Sequence, residues 1–461
     1  MRNLKKFGQC LGVCFMWGSG LYVTVLSGNA HASDASSMRQ SGMVESATDA
    51  PRKDLAKWVA QVLERHPELL QAESESRQAE FRVKEAQAAR WPQTTFSSNR
   101  GRESQHIALT GRTIDYNQQQ QYQLKGVLPL LDKGIDAQIQ QREALASRAD
   151  WSLTDVREQL TIRTVELYIE VVRHVRLMEL ARENLKVHRA YVAQMKDIAR
   201  IDLGRAADLP MAQSRVALAE SALISRIARL ESARVQWSAH TGLPAPDLMT
   251  GSNTSQLQNL QAATLPETLE LAVSNAIESS PQLQKNLADI AAAKGVLASA
   301  KAIYHPKINA EARMSAGKNY GSVLGNQNAH YIGIGLDWTL PLNPGRSYAN
   351  RAAEEGVIGA NHARESMSVK LKASVEAQWY TSLASQHYLK AFEQYVSSAE
   401  QAVQGYREQF KIGRRSLLDV LNAENELFTA RTNVASAQQD IALSSWILLG
   451  LRGLASQELG L

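Results

Sequence analysis

Cysteine occurs only twice in the 461 residues, at Cys10 and Cys14, so everything beyond the first few turns of chain is without disulfides or thiolate metal sites. Histidine is sparse and scattered: the ten copies form no His-Glu-x-x-His or similar pair. His66 and His305 each stand before a proline and read as boundary residues. There is no Gly-rich phosphate loop and no nucleophile elbow, so the residues offer no enzyme chemistry, no cofactor site and no metal site. Charge of one sign is missing too. Lys plus Arg number 51 against 46 acidic residues, and three of the basic ones sit in the first six positions. The remainder carries no field suited to nucleic acid. Proline and glycine, at 12 and 27, are few for this length and leave long stretches without a break.

What is present begins with a leader. Arg2, Lys5 and Lys6 precede an apolar run interrupted by Trp17, Gly18, Ser19 and Gly20, which ends in Ala30-His31-Ala32. That layout predicts a secretory signal over 1–32, cut after Ala32, and argues against a membrane anchor. Leu11, Gly12 and Val13 precede Cys14, without the small residue just before the cysteine that a lipid-anchor pattern has, so a lipid anchor is not expected. Residues 33–52 read as a flexible leader.

The longest unbroken segment, Ile135 to Leu203, is rich in Ala, Leu, Glu, Gln and Arg and predicts a helix of roughly 100 Å, the length of a coiled coil or helical array. Its return, Leu209 to Trp237, repeats apolar or small residues at steps of three and four, as does Val420 to Ile441. Much of the chain is duplicated. Pro67 matches Pro281, Pro92 matches Pro306, Pro129 matches Pro341, Gly204 matches Gly413 and Trp237 matches Trp446, with an offset that drifts slowly in one direction. The expected organisation is a first repeat over 53–243, a polar linker over 244–266 and a second repeat over 267–461. Each repeat holds a helix, a strand pair and a long helical hairpin.

Strands betray themselves by alternation. In "YIGIGLDWTLPL", Ile332, Ile334, Leu336 and Trp338 point one way while Tyr331, Gly333, Gly335 and Asp337 point the other. Lys307 to Ala316 and Gln121 to Leu128 alternate likewise, and Gln93 to Arg100 is the weakest of the four strands. Strands of about ten residues cross a bilayer at the tilt of a membrane barrel. Four strands cannot close a barrel, and an open edge in lipid leaves amides unpaired at several kcal/mol each. The strands are therefore expected to join a barrel shared between copies. Three copies give twelve strands and a water-filled bore, with Ile332, Ile334, Leu336 and Trp338 facing lipid.

These features together resemble the TolC family of outer-membrane efflux and secretion channels. The likeness rests on Pro129-Leu130 and Pro341-Leu342 at the strand ends, and on the Gly-Arg turns followed by "ADLPMAQSRVALAES" and "SLLDVLNAENEL". The resemblance implies a membrane β-barrel continued by a long α-helical coiled-coil barrel, assembled as a homotrimer of an internally duplicated protomer. It places the chain in the outer membrane of a Gram-negative bacterium, reaching into the periplasm. The implied partners are a periplasmic adaptor and an inner-membrane ABC or other pump, besides outer-membrane lipid. Family members narrow their tunnel with a Tyr before the second Gly turn, an Arg after it and two Asp three apart. Here Phe410, Arg415, Asp419 and Asn422 occupy those places, so the implied constriction retains one carboxylate per chain. The two turns, with Gly204, Arg205 and Asp208 in one and Gly413 and Arg414 in the other, are the implied adaptor contacts. "GRAADLPMAQSRVALAES" and "HTGLPAPDL" look like the branch that serves type I secretion of large adhesins. Small-molecule or metal-cation efflux is the alternative, and a soluble periplasmic coiled-coil scaffold is the reading from another class.

Overall fold

The computed structural model describes residues 50–107, 111–202, 207–246, 260, 266–319, 325–340 and 344–461. Helices α1 (Ala50–Arg65) and α2 (Pro67–Ala88) lead into strands β1 (Gln93–Ile107) and β2 (Arg112–Leu131), then α3 (Lys133–Ile201) and α4 (Asp208–Thr241). The same order recurs in α5 (Leu269–Ser279), α6 (Pro281–Ala302), β3 (Lys307–Lys318), β4 (Asn326–Asp337), α7 (Gly345–Lys411) and α8 (Leu417–Leu451), before a short α9 (Ala455–Glu458). Proline opens both α2 and α6, where its missing N–H costs no hydrogen bond. The expected leader falls mostly outside the described residues, and α1 begins just inside its far end.

The two long helices contain 69 and 67 residues. Asp132 caps α3 by accepting from the Gly134 amide at 2.8 Å. Gly356, Gly359 and Gly405 do not interrupt α7. A different glycine is a packing requirement. A Cβ built on Gly295 of α6 would stand 2.8 Å from Cα of Gln141 on α3, so the two helices touch backbone to side at that level. Gly295→Ala should therefore destabilise by about 1 to 3 kcal/mol, the usual cost of overpacking, seen as an earlier thermal loss of far-ultraviolet circular dichroism. A melt unchanged from the parent would show that α6 shifts freely.

The four strands form one antiparallel sheet in the order β1-β2-β3-β4. β1 and β2 extend to 15 and 20 residues, longer than the ten expected. Their outer halves are polar and non-alternating and are held by hairpin pairing out to Ile107↔Arg112, a signal that side-chain pattern does not carry. Gln93 to Arg100, the weakest prediction, is regular strand throughout, paired to β2. β4 instead stops at Asp337, five residues short of the stretch that alternates.

The main core lies where the helices of both halves meet. Trp237 and Trp446, equivalent residues of the two halves, are fully buried there with Tyr168, Ile169 and Met178. Trp58 stands edge-on to Trp237 at 5.8 Å. Each of the paired tryptophans donates its indole N–H to the segment expected as a polar linker: Trp237 to the Pro244 carbonyl at 3.2 Å, Trp446 to that of Leu260 at 2.6 Å. Leu260 is itself buried, so that segment is strapped to the core at both points. α9 docks through its amide groups, Ala455 and Ser456 donating to the buried Glu158 carboxylate.

Candidate functional site

Two regions carry the residues singled out by sequence: the turn end of the helices and the sheet. At the turn end, Gly413 adopts φ +76°, the left-handed conformation that ends α7 and that other residues reach only with strain. Its amide and that of Arg414 bond back to Phe410 and Gln409 at 3.0 and 2.9 Å. Ser416 then starts α8 with a reciprocal cap: its hydroxyl accepts from the Asp419 amide at 3.2 Å and donates to the Asp419 carboxylate at 2.8 Å. Arg415 lies 3.8 Å from the same carboxylate and covers the Tyr406 ring at 4.4 Å. Arg415 and Asp419 are both partly exposed, so this pair is brought together as the spacing suggested.

The other two expected constriction residues are placed differently. Phe410 is buried in a small core with Tyr191, Met195, Leu417 and Leu421, so it cannot line a passage. An aromatic ring without a hydroxyl loses nothing by leaving water there, and the turn folds it inward. Asn422 accepts from Arg215 of α4 at 2.9 Å, tying the two hairpins within one protomer. Gly204 and Arg205 lie outside the described residues, and Asp208 opens α4.

Sequence reasoning overlooked the strongest polar cluster of this region. Glu424 on α8 is buried, and one of its oxygens accepts from Tyr191 of α3 at 2.8 Å and from Nε of Arg407 of α7 at 2.7 Å. The second guanidinium contact is 2.6 Å. Burial, then the neighbouring Glu424, pushes the Tyr191 phenol up to about 12. His188, buried beside this group, is pushed down, first by burial and against the pull of Glu424, so it stays neutral. In the chain Arg407 stands six residues before Gly413 and Glu424 eleven after it, so no regular spacing marks the pair.

The Asp419 carboxyl is held below its ordinary value of 3.8, chiefly by the Ser416 hydroxyl and then, against slight desolvation, by the Ser416 amide and Arg415. Its contribution to the cap is complete above the ordinary carboxylate range and is lost as pH falls through the depressed value. The protection factor at Asp419, taken relative to the intrinsic exchange rate at each pH, should fall on acidification, and Asp419→Asn should abolish that pH dependence. An unchanged dependence in the variant would assign the effect to another group.

In the sheet, paired residues share a face. Even-numbered positions form rows such as Phe96, Leu124, Met314 and His330, then Leu128, Ala310 and Ile334, then Ile308 and Leu336. Ile332, Ile334 and Leu336 are 88%, 71% and 63% exposed, and Trp338, just past the strand, donates to the Tyr304 carbonyl at 3.2 Å while remaining exposed. Odd-numbered positions carry charge: Glu311 bonds Arg313 at 2.8 Å and Lys125 at 3.4 Å, and Arg313 faces the Tyr331 ring at 5.5 Å. One face is thus apolar and open, the other polar. β1 and β4 each pair on one side only. No described helix is long and apolar enough to cross a membrane.

Comparison with known proteins follows this geometry. The family described as outer membrane efflux protein matches residues 272–453. The chain is 26% identical over 308 residues to the outer membrane efflux protein BepC of Brucella suis, covering 66% of each chain, which is just under two thirds of that relative. It is 23% identical over 371 residues to the alkaline protease secretion protein AprF of Pseudomonas aeruginosa, covering 78% of this chain and 76% of that one. Among solved structures, the outer membrane protein VceC of Vibrio cholerae superposes with a TM-score of 0.71 at 16% identity, over 88% of this chain and 98% of the other. That likeness establishes the fold, a four-stranded sheet carried on long helices.

Proposed function

From the premise that this chain belongs to the TolC-like family of outer-membrane efflux proteins, we propose that it is the outer-membrane conduit of a tripartite export machine and serves type I protein secretion. One observation carries the reading: an antiparallel sheet with two unpaired edges and an exposed apolar face, borne on helices of 69 and 67 residues. Such a sheet satisfies its edge amides in lipid only by joining others, and three copies make a twelve-stranded barrel with an aqueous bore. The odd-numbered face, with Lys125, Glu311 and Arg313, lines that bore, and Ile332, Ile334, Leu336 and Trp338 meet lipid. The helices continue the passage into the periplasm. The duplicated halves, 53–243 and 267–461, supply alternate staves of the wall, joined by 244–266.

Arg415 and Asp419 stand at the narrow end, where one carboxylate per protomer makes a ring of three. Gly204, Arg205, Asp208, Gly413 and Arg414 are the surface for a periplasmic adaptor, and an inner-membrane ABC or other pump supplies the energy. The channel itself performs no chemistry. A relative named for secretion of alkaline protease supports protein cargo, and the sequence likeness to the adhesin branch points to a large adhesin. Efflux of small molecules or metal cations is the second reading, favoured by the relative named as an efflux protein.

The test joins architecture to cargo. The purified protein should be a trimer that opens pores in planar bilayers, and deleting its gene should retain a large secreted protein inside the cell while leaving drug and metal tolerance intact. A monomer without conductance overturns the channel. Lost tolerance with normal protein secretion overturns the cargo.

A further inference from the structure

The sheet's apolar face has a measurable height and a change of chemistry at its far end. The helices leave the sheet at Gln93, Leu131, Lys307 and Asp337, all at one end. From Trp338, just past β4, to Asn328 is ten residues, about 33 Å of chain, which at barrel tilt stands about 25 Å high, with His330 the one polar side chain between them on that face of β4. That is the height of the apolar band of an outer-membrane barrel. Aromatic groups mark both borders: Trp338 below, and Tyr122, 48% exposed in the row Tyr122, Ala316 and Asn328, above.

The next row on the same face is Arg100, Gln120, Lys318 and Asn326, one residue from each strand. Arg100 and Lys318 are both exposed. They stand two strands apart, about 10 Å between backbones, with Gln120 between them as a further donor. The described ion pairs between two sheet residues, Lys125 with Glu311 and Arg313 with Glu311, lie on the opposite face, Lys307 pairs with Asp132 at the helix end, and none of the described ion pairs includes Arg100 or Lys318. Two cations with no carboxylate partner among the described residues, set one row beyond an apolar band on the face read as lipid-facing, match a phosphate at the outer water interface.

We propose that Arg100, Gln120 and Lys318 bind the phosphate of an anionic lipid in the outer leaflet, once per protomer. The inference rests on the channel reading above, since it needs the even-numbered face in the membrane and the hairpin ends outward. The site fixes how deep the barrel sits and makes outer-leaflet lipid a specific partner.

The test reconstitutes the full-length trimer into phosphatidylcholine vesicles with and without lipid A, and measures lipid A retained on the protein by native mass spectrometry. The parent should retain it, and Arg100→Gln with Lys318→Gln should weaken retention about tenfold, about 1.4 kcal/mol. Lys125→Gln, on the polar face, should behave as the parent. Excess inorganic phosphate should not displace the lipid. Parent-like retention in the double variant, equal loss in the Lys125 variant, or full displacement by inorganic phosphate each overturns the proposal. A parent that inserts and conducts while the double variant retains lipid normally refutes the lipid site alone. A parent that fails to insert refutes the channel reading beneath it.

Discussion

Arg407→Met should open the turn end of the helices more than any other single change there, by about 3 kcal/mol. The Glu424 carboxylate is buried between α3, α7 and α8, and the Arg407 guanidinium supplies two of its three contacts. Removing one partner of a buried pair leaves a charge that the interior cannot solvate, at a cost of about 3 to 5 kcal/mol. Arg407 is itself 45% exposed, so water can reach part of the vacated space and the lower figure applies. The measurement is the opening free energy from hydrogen exchange over the first turns of α8, where the parent should be protected. The double variant Arg407→Met, Glu424→Gln should recover most of the loss, because no charge is then stranded. A single variant that costs under about 1 kcal/mol would mean that the pair behaves as an exposed one.

The second large effect is expected in the sheet. Ile334 lies close to midway between Trp338 and Asn328, hence near the centre of the apolar band. An arginine there should cost about 2 to 4 kcal/mol per protomer, and about 6 to 12 kcal/mol over three distant, additive copies. Gly335, the next residue, points to the polar face, and a side chain built on it meets nothing within 4 Å. Gly335→Arg should assemble normally and alter only conductance. The yield of detergent-stable trimer after folding into lipid reads both. Equal damage at the two positions would show that both faces are buried in protein.

These two regions differ in how far sequence could reach them. Alternation in Lys307–Ala316 and Tyr331–Asp337 separates an apolar set of side chains from a polar one, so these strands and their two faces were legible from residues alone. The outer halves of β1 and β2 were not, because a polar hairpin is held by backbone pairing that leaves no periodic trace. Helix α3 announced itself through the lack of proline and glycine after Gly134, whereas α7, which holds Gly356, Gly359 and Gly405, followed from the duplication. At the turn end, Arg415 precedes the Ser416 cap and Asp419 lies in the first turn of α8, four residues apart, a local relation that spacing reveals. Glu424 with Tyr191, and Asn422 with Arg215, join residues more than two hundred positions apart. Such pairs depend on how one hairpin lies against the other, and a single sequence does not encode that distance in any pattern. Phe410 was misplaced for the same reason: its role follows from what surrounds it.

The sheet with one free edge at β1 and another at β4 has a genetic consequence. In the proposed ring, each β4 edge is completed by the β1 edge of a neighbour, a head-to-tail contact that closes only when all three are sound. A subunit with a spoiled edge, for instance one carrying proline where β4 must donate an amide, is not merely inactive. It occupies a place that a sound copy needs and leaves the facing β1 edge of a neighbour unsatisfied. Expressed beside the normal gene, such an allele should be dominant, with intact channels falling as the cube of the fraction of sound subunits, whereas an allele that prevents the chain from being made should be recessive.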